Sequence, residues 1–189
     1  MSKYKVIALI GESGSGKDTV MREALKACPG LHKIINCTTR DPREGEVDGV
    51  NYFFLTEDQL TEKVLSGEMI EVTHKNWFYG TSINALDSSV VNIGVFNPDS
   101  IYMIGESEDI DLIVIYIHAS DKTRLLRQLN REENPNVDEI IRRFKADRED
   151  FFDLNFIYYS IENETAEDLE TAVNVILKIA GVISDFGQK

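Results

Sequence analysis

Nine residues near the start of the chain carry the clearest chemical signal: Gly11-Glu12-Ser13-Gly14-Ser15-Gly16-Lys17-Asp18-Thr19. Glycines at 11, 14 and 16 let backbone N–H groups turn inward, and a helix starting at the lysine adds positive potential. Lys17 can then reach the β- and γ-phosphates of a nucleotide. The apolar run Val6–Ile10 reads as a buried strand before the loop, and Asp18–Ala27 reads as a helix after it, closed by Pro29-Gly30. That is the context a phosphate-binding loop requires. One position departs from the pattern, because Asp18 stands where a Ser or Thr hydroxyl would ligate Mg²⁺. A carboxylate is a good hard-oxygen ligand for Mg²⁺, and equally an ordinary first-turn acid that stabilises a helix. Without a metal it would repel the adjacent phosphate. Thr19 is displaced by about 100° around the helix and does not simply take over.

Two further clusters follow. Arg40 and Arg43 stand three apart in a loop bounded by Pro and Gly, with Tyr52 beyond them. Such a pair can clamp a dianionic phosphate, although in an acidic protein loop arginines often make surface ion pairs instead. Glu71 then precedes Tyr79-Gly80-Thr81-Ser82. An ionised carboxylate only accepts hydrogen bonds. Guanine offers two adjacent donors, N1–H and the exocyclic N2–H₂, where adenine has an acceptor at N1. A buried Glu71 would therefore select guanine. Later, Arg124, Arg127 and Arg131 recur at i, i+3 and i+7, so they share one face if the helix extends that far.

The elements that must position these groups alternate. Ile34–Cys37, Tyr52–Leu55, Met69–Val72, Leu112–Ile117 and Phe156–Ser160 read as strands, and Val90–Phe96 is an apolar run too short to separate strand from buried helix by pattern alone. Helices are expected over Glu57–Leu65, Asp121–Asn130, Val137–Phe152 and a last one carrying Leu169, Ala172, Val173, Ile176, Leu177 and Ala180. Asn136 and Glu139 are spaced like a capping box. Alternating strands and helices imply an α/β fold with a mostly parallel sheet, and the shorter strands of residues 38–88 read as an inserted lobe.

With 189 residues the chain suits one domain. Its formal net charge of −13 argues against a protein that coats nucleic acid. Eight of its 20 basic residues nevertheless fall between Lys122 and Arg148, a basic segment within an acidic whole. No apolar run approaches the ~18 residues of a membrane span and no signal-peptide pattern opens the sequence, so a cytoplasmic location is expected. Cys28 and Cys37 have no zinc spacing and read as small buried hydrophobes. His32, His74 and His118 have no metal-ligand spacing either.

In order and spacing, these pieces resemble the guanylate kinase family. That family carries a phosphate-binding loop, then TTR-x-PR-x-GE-x-x-G-x-x-Y, then GE-φ-φ-E (φ apolar) and YGTS. Here the motifs stand as residues 38–52, Gly67-Glu68-Met69-Ile70-Glu71 and residues 79–82. The match is strong over residues 5–82 and traceable beyond. The resemblance implies a P-loop NTPase-type core (1–37 and 89–189), an inserted GMP-binding lobe (about 38–88) and a helical lid (about 131–143). It implies transfer of the γ-phosphate of ATP to GMP or dGMP with Mg²⁺, and neither nucleic acid nor membrane as partner. Residues 11–19 would bind ATP, Lys17 catalytically, with Asp18 toward Mg²⁺. Arg40, Arg43, Tyr52 and Tyr79 would hold the GMP phosphate, and Asn36, Glu71 and Thr81, with Ser82 beside them, the base. Arg131, Arg142, Arg143 and Arg148 resemble catalytic lid arginines.

The chain departs from the family at Asp18, at Asn36 where Ser is usual, in the acid-free strand Val90–Phe96, and at Ser160-Ile161-Glu162-Asn163. In place of acids that strand holds only Asn92, with Asn97 just beyond it; an Asn can hydrogen-bond a base or a metal-bound water but brings no charge. These departures leave open a kinase of altered or broader acceptor choice, or a non-catalytic binding module.

Overall fold

Residues 6–10 are apolar without interruption and all are buried, as a strand covered on both faces must be. The computed structural model describes residues 4–43, 45–131, 133–156 and 158–181. Its first half runs β1 (Tyr4–Ile10), α1 (Lys17–Ala27), β2 (His32–Lys33), β3 (Cys37–Thr38), β4 (Phe53–Phe54), α2 (Glu57–Leu65), β5 (Met69–His74) and β6 (Phe78–Ser82). Then come β7 (Val91–Val95), α3 (Pro98–Gly105), β8 (Ile110–His118), α4 (Asp121–Leu129), α5 (Val137–Asp150), β9 (Tyr159–Glu162) and α6 (Ala166–Ile179).

Five strands form a parallel sheet in the order β2-β7-β1-β8-β9. Side chains alternate across it. Ile7 and Leu9 join Ile93, Ile115 and Ile117 under Val20 and Ala24 of α1 and Ala172 and Ile176 of α6. Val6, Ala8 and Ile10 face the other way, against Phe96 and Ile101 and Ile104 of α3. Each such side chain contributes roughly 1.5–3 kcal/mol by leaving water. The rigidity of this sandwich is what fixes the loop between β1 and α1.

A second sheet, in the order β4-β3-β6-β5, occupies the stretch expected as a lobe. In it β3 and β4 are parallel while β6 is antiparallel to both β3 and β5. A register shift between Met69 and Glu71 sets Glu71 directly opposite Thr81, which explains why those two side chains meet.

The structure revises four expectations. Ile34–Cys37 is not one strand: β2 ends at Lys33 in the core sheet and β3 starts at Cys37 in the other, so residues 34–36 carry the chain between sheets. Helix α3 was not read from the sequence, although Asn97 caps it by accepting from Ser100 N–H and Pro98 opens its first turn. The capping box of α5 is half formed, because the Glu139 carboxylate is held by Arg142 and Arg143 while Asn136 still caps Glu139 N–H. The last strand lies at Tyr159–Glu162, later than Phe156–Ser160, of which Ile157 is outside the described residues.

Candidate active site

Between β1 and α1 the loop is shaped from behind. Ser13 O accepts from Arg124 Nε at 3.1 Å and Gln128 Nε2 at 3.3 Å. Ser15 O accepts from Arg127 Nη1 at 3.1 Å and Asn163 Nδ2 at 2.7 Å. The C=O of one residue and the N–H of the next are antiparallel in a trans peptide, so the N–H groups of Gly14 and Gly16 point away from these partners. With those of the first turn of α1, which have no intrahelical acceptor, they form an anion cradle. Gly14 and Gly16 have φ of +83° and +94°, and a Cβ there would stand 2.6 Å from Arg124 O and 2.3 Å from Asn163 Nδ2. Only glycine fits.

Arg124 is 4% exposed and ties this corner together. It binds Asp147 at 2.6 Å and Asp121 at 3.0 Å, and Glu12 lies 3.7 Å away. Asp147 also accepts from Ser13 N–H at 2.9 Å. Arg124 and Arg127 therefore support the loop, and Arg131, beyond the end of α4, does not continue their face.

The loop opens on a cavity of about 730 Å³. Ser13, Gly14, Gly16, Lys17, Asp18 and Thr19 line its inner wall, and Asn163, Glu164, Thr165, Ala166 and Leu169 line one end. Arg43, Arg131, Arg143 and Tyr52 border it on the far side. Gly11, Glu12 and Ser15 lie behind that wall; the Ser15 hydroxyl is fully buried without a partner.

Across the cavity, Arg40 is 6% exposed and gripped by Glu46, at 2.9 and 3.0 Å, with its guanidinium 5.6 Å from the Tyr52 ring centroid. Tyr79 stacks edge-on to Tyr52 at 6.1 Å. Burial pushes the Tyr52 hydroxyl up to about 12, aided by Asp18 and Tyr79, so it stays a hydrogen-bond donor. Burial lowers Arg43, and Arg143 and Arg40 push it the same way, outweighing the opposite pull of Glu46, so positive charges gather at this spot.

A smaller pocket of about 270 Å³ adjoins, lined by Asn36, Tyr52, Glu71, Tyr79, Val95, Phe96, Asn97 and Ser100. Glu71 is 3% exposed. Thr81 Oγ donates to its Oε1 at 2.7 Å and Ser100 Oγ to its Oε2 at 3.0 Å. Burial raises the Glu71 carboxyl, against the pull of those two hydroxyls.

The expected residues thus separate. Lys17, Asp18, Thr19, Arg43, Tyr52, Arg131 and Arg143 meet around the large cavity, and Asn36, Glu71, Tyr79 and Thr81 around the small one. Arg142 and Arg148 line neither. Arg142 is held by Glu139 at 2.7 Å, and Arg148, three-quarters exposed, reaches only Asp121 at 3.4 Å. Both therefore stand outside the two cavities, although Arg142 lies near enough to Tyr79 and Asp147 to feel their charge. Asn92 is fully buried, donates to Lys5 O, Asp87 O and Val90 O, and lines neither cavity. Asn97 lines the small pocket, where it caps α3 and donates to Thr73.

Sequence reasoning missed Glu46, Ser100, Asp147 and the end wall of the large cavity. The Asn97-Pro98 helix start would have pointed to Ser100; no sequence signal marks Asp147.

A glycine-rich cradle at the end of a central parallel strand, facing a second sheet across a cationic cavity, defines a P-loop phosphotransferase. Residues 3–180 match the guanylate kinase family model, and the chain belongs to that family. It is 26% identical over 177 residues to the guanylate kinase of Bifidobacterium longum, covering 86% of this chain and 90% of that one. It is 29% identical over 182 residues to that of Helicobacter pylori, covering 94% and 86%. The crystal structure of guanylate kinase from Anaplasma phagocytophilum shares the fold, with a TM-score of 0.71 at 21% identity over 98% of this chain and 89% of that one.

Proposed function

We propose that this chain transfers the γ-phosphoryl group of ATP to GMP or dGMP, giving ADP and GDP or dGDP. One observation carries the reading: Tyr52 and Val95 line both the pocket of Glu71 and the cavity of Lys17. A purine monophosphate with its base at Glu71 therefore directs its phosphate at Arg43 and the loop. Lys17 and the 11–19 backbone hold the donor phosphates, and the end wall of the cavity faces the rest of the donor. Arg40, Arg43, Tyr52 and Tyr79 receive the acceptor phosphate, while Glu71, Thr81 and Asn36, backed by Ser82 and Ser100, read the base. Arg131 and Arg143 add positive charge where the transferring group passes.

In this reading residues 38–88 form the acceptor lobe, the remainder the core, and residues 131–143 a lid that excludes water as a competing acceptor. Among the described residues no helix is long and apolar enough to cross a membrane.

Mg²⁺ fits this site by donor count. No cluster of three or more His, Cys, Asp or Glu suited to a metal exists among the described residues. Asp18 stands exposed on the cavity wall, and one carboxylate plus nucleotide phosphates is a common Mg²⁺ donor set. When bound there, the ion would neutralise phosphate charge, including the repulsion from Asp18 itself.

A coupled assay of ADP formation with Mg-ATP, comparing GMP, dGMP, AMP, CMP, UMP and dTMP, tests the proposal. Turnover confined to GMP and dGMP is expected. Turnover with several acceptors would favour broader choice, a reading motivated by Glu71 being the pocket's single acid. A folded protein that binds GMP but turns over no acceptor would overturn catalysis.

A further inference from the structure

Asn36, Thr81 and Glu71 form a row of polar side chains with more contacts than hydrogens. One end of the Asn36 amide is 3.1 Å from Val95 O. A backbone carbonyl only accepts, so that end is the NH₂ and the other, Oδ1, faces Thr81 Oγ1 at 3.2 Å. The same Thr81 oxygen lies 2.7 Å from Glu71 Oε1. An amide oxygen only accepts, an ionised carboxylate only accepts, and one hydroxyl carries one hydrogen. Ser100 does not relieve the deficit, because it binds the other carboxylate oxygen. With Thr81 1% and Glu71 3% exposed, the contact between them is shut off from bulk water, while Asn36 stands on the pocket wall.

We propose that in the nucleotide-free site the row is completed by a proton on Glu71, so that Glu71 donates to Thr81, Thr81 donates to Asn36, and reading a guanine requires that proton to leave. The inference rests on the proposed GMP-binding function and deepens it. Once Glu71 ionises, the Thr81 hydrogen swings to the carboxylate. Both Glu71 oxygens then accept from guanine N1–H and N2–H₂, and Asn36 Oδ1 becomes free for the remaining N2 hydrogen. The released proton goes to solvent. While Glu71 keeps its proton, it accepts less well from guanine and can turn its O–H toward the N1 acceptor of adenine. Asn36 is thus a positioning residue for specificity, acting through Thr81 on the charge of Glu71.

The surroundings do not supply a competing charge. Among the described residues no Lys or Arg forms an ion pair with Glu71. From β3 the nearby titratable group is Cys37, whose thiol burial pushes up, with Glu71 contributing. On the β5 side Glu68 is paired with Lys63 at 2.8 Å. From α3, Asp99 is exposed, and Tyr52 and Tyr79 complete the pocket wall.

Two measurements decide the matter. Infrared difference spectra across pH, wild type minus Glu71→Gln in the nucleotide-free protein, should contain a protonated carboxyl band that persists to higher pH than an ordinary glutamate's. In Asn36→Ala and in Asn36→Ser, whose hydroxyl brings its own hydrogen, that band should vanish at lower pH. A band confined to the ordinary range, or one unmoved in both variants, overturns the proposal.

The second measurement follows kcat/KM for GMP and AMP against pH. The GMP value should fall about tenfold per pH unit on its acid limb, with AMP gaining relative to it, and both Asn36 variants should move the limb to lower pH. A purely structural Asn36 would lower the plateau and leave the limb in place, which also overturns it. If the wild type turns over no GMP at any pH, the proposed function fails while the infrared series still decides on the proton.

Discussion

In the proposed reading the loop after β1 takes the donor and the Glu71 side takes the acceptor, and the two are held differently before any ligand arrives. In the loop, the Ser13 and Ser15 carbonyls are satisfied by Arg124, Arg127, Gln128 and Asn163, and the cradle stands complete. In the acceptor site, polar groups have stand-in partners: Glu46 occupies Arg40, Glu139 occupies Arg143, and Thr81 stands between Asn36 and Glu71. A phosphate can enter the loop without disturbing it. A GMP must displace or reorder what is already there.

If that contrast holds, damage to the loop should be the gravest and the least selective. Gly14→Ala and Gly67→Ala both place a Cβ at positive φ, +83° and +75°, but only at Gly14 is there backbone in the way, 2.6 Å off, while Gly67 faces open space. Both variants carry the left-handed penalty of about 1–2 kcal/mol. Gly14→Ala should in addition displace the cradle and reduce kcat/KM by about 10²-fold or more for every acceptor alike. Equal activity of the two variants would show that the loop is as adaptable as the acceptor side. Next in size is Glu71→Gln, which should lower the ratio of GMP to AMP kcat/KM by about 10²-fold while leaving the KM for ATP unchanged. An unchanged ratio would remove Glu71 from base reading.

How much of this was legible in the sequence follows the same divide. Backbone recognition is local: a strand, three glycines and a lysine announce the loop, because the chain itself must bend there. Side-chain recognition in the acceptor site is assembled from residues 36, 71, 81 and 100, brought together by two sheets and a helix. Spacing and family resemblance located the first three. Ser100 stayed hidden because α3 is only eight residues long and its apolar positions follow directly on a strand. The arginines are instructive too. Arg124, Arg142 and Arg148 look equivalent in a list of basic residues, and what separates them is which carboxylate folds against each. Asp147, 23 residues from Arg124, decides one case, and no periodicity reveals a partner at that distance.

Ser100→Ala should have a smaller effect than loss of Glu71 itself, since it takes one of two donors from the carboxylate. The KM for GMP should rise about tenfold with the KM for ATP unchanged. A rise in both would mean that α3 shifted, and the two sites would then be less independent than the contrast requires.

The smallest effect belongs to Glu139, the stand-in partner on α5. Its carboxyl is lowered from 4.5 to about 2, first by hydrogen bonding to Arg142 and then by Arg143. Because the folded protein binds this proton more weakly than the unfolded chain, the ion pairs stabilise the fold above about pH 4.5, and that contribution disappears as the pH falls toward 2. The side chains are partly exposed, 32% for Glu139 and 49% for Arg142, so water screens them and Glu139→Gln should cost no more than about 1 kcal/mol at pH 7. Urea unfolding at pH 7, 4 and 2.5 should show the gap between wild type and variant closing as the pH drops. A gap that stays constant would mean that Glu139 acts through packing. Because the same substitution frees Arg143 from its stand-in, the KM for GMP should not rise. A rise would mean that the pair is part of the finished site, and that the acceptor side is as complete before binding as the donor loop.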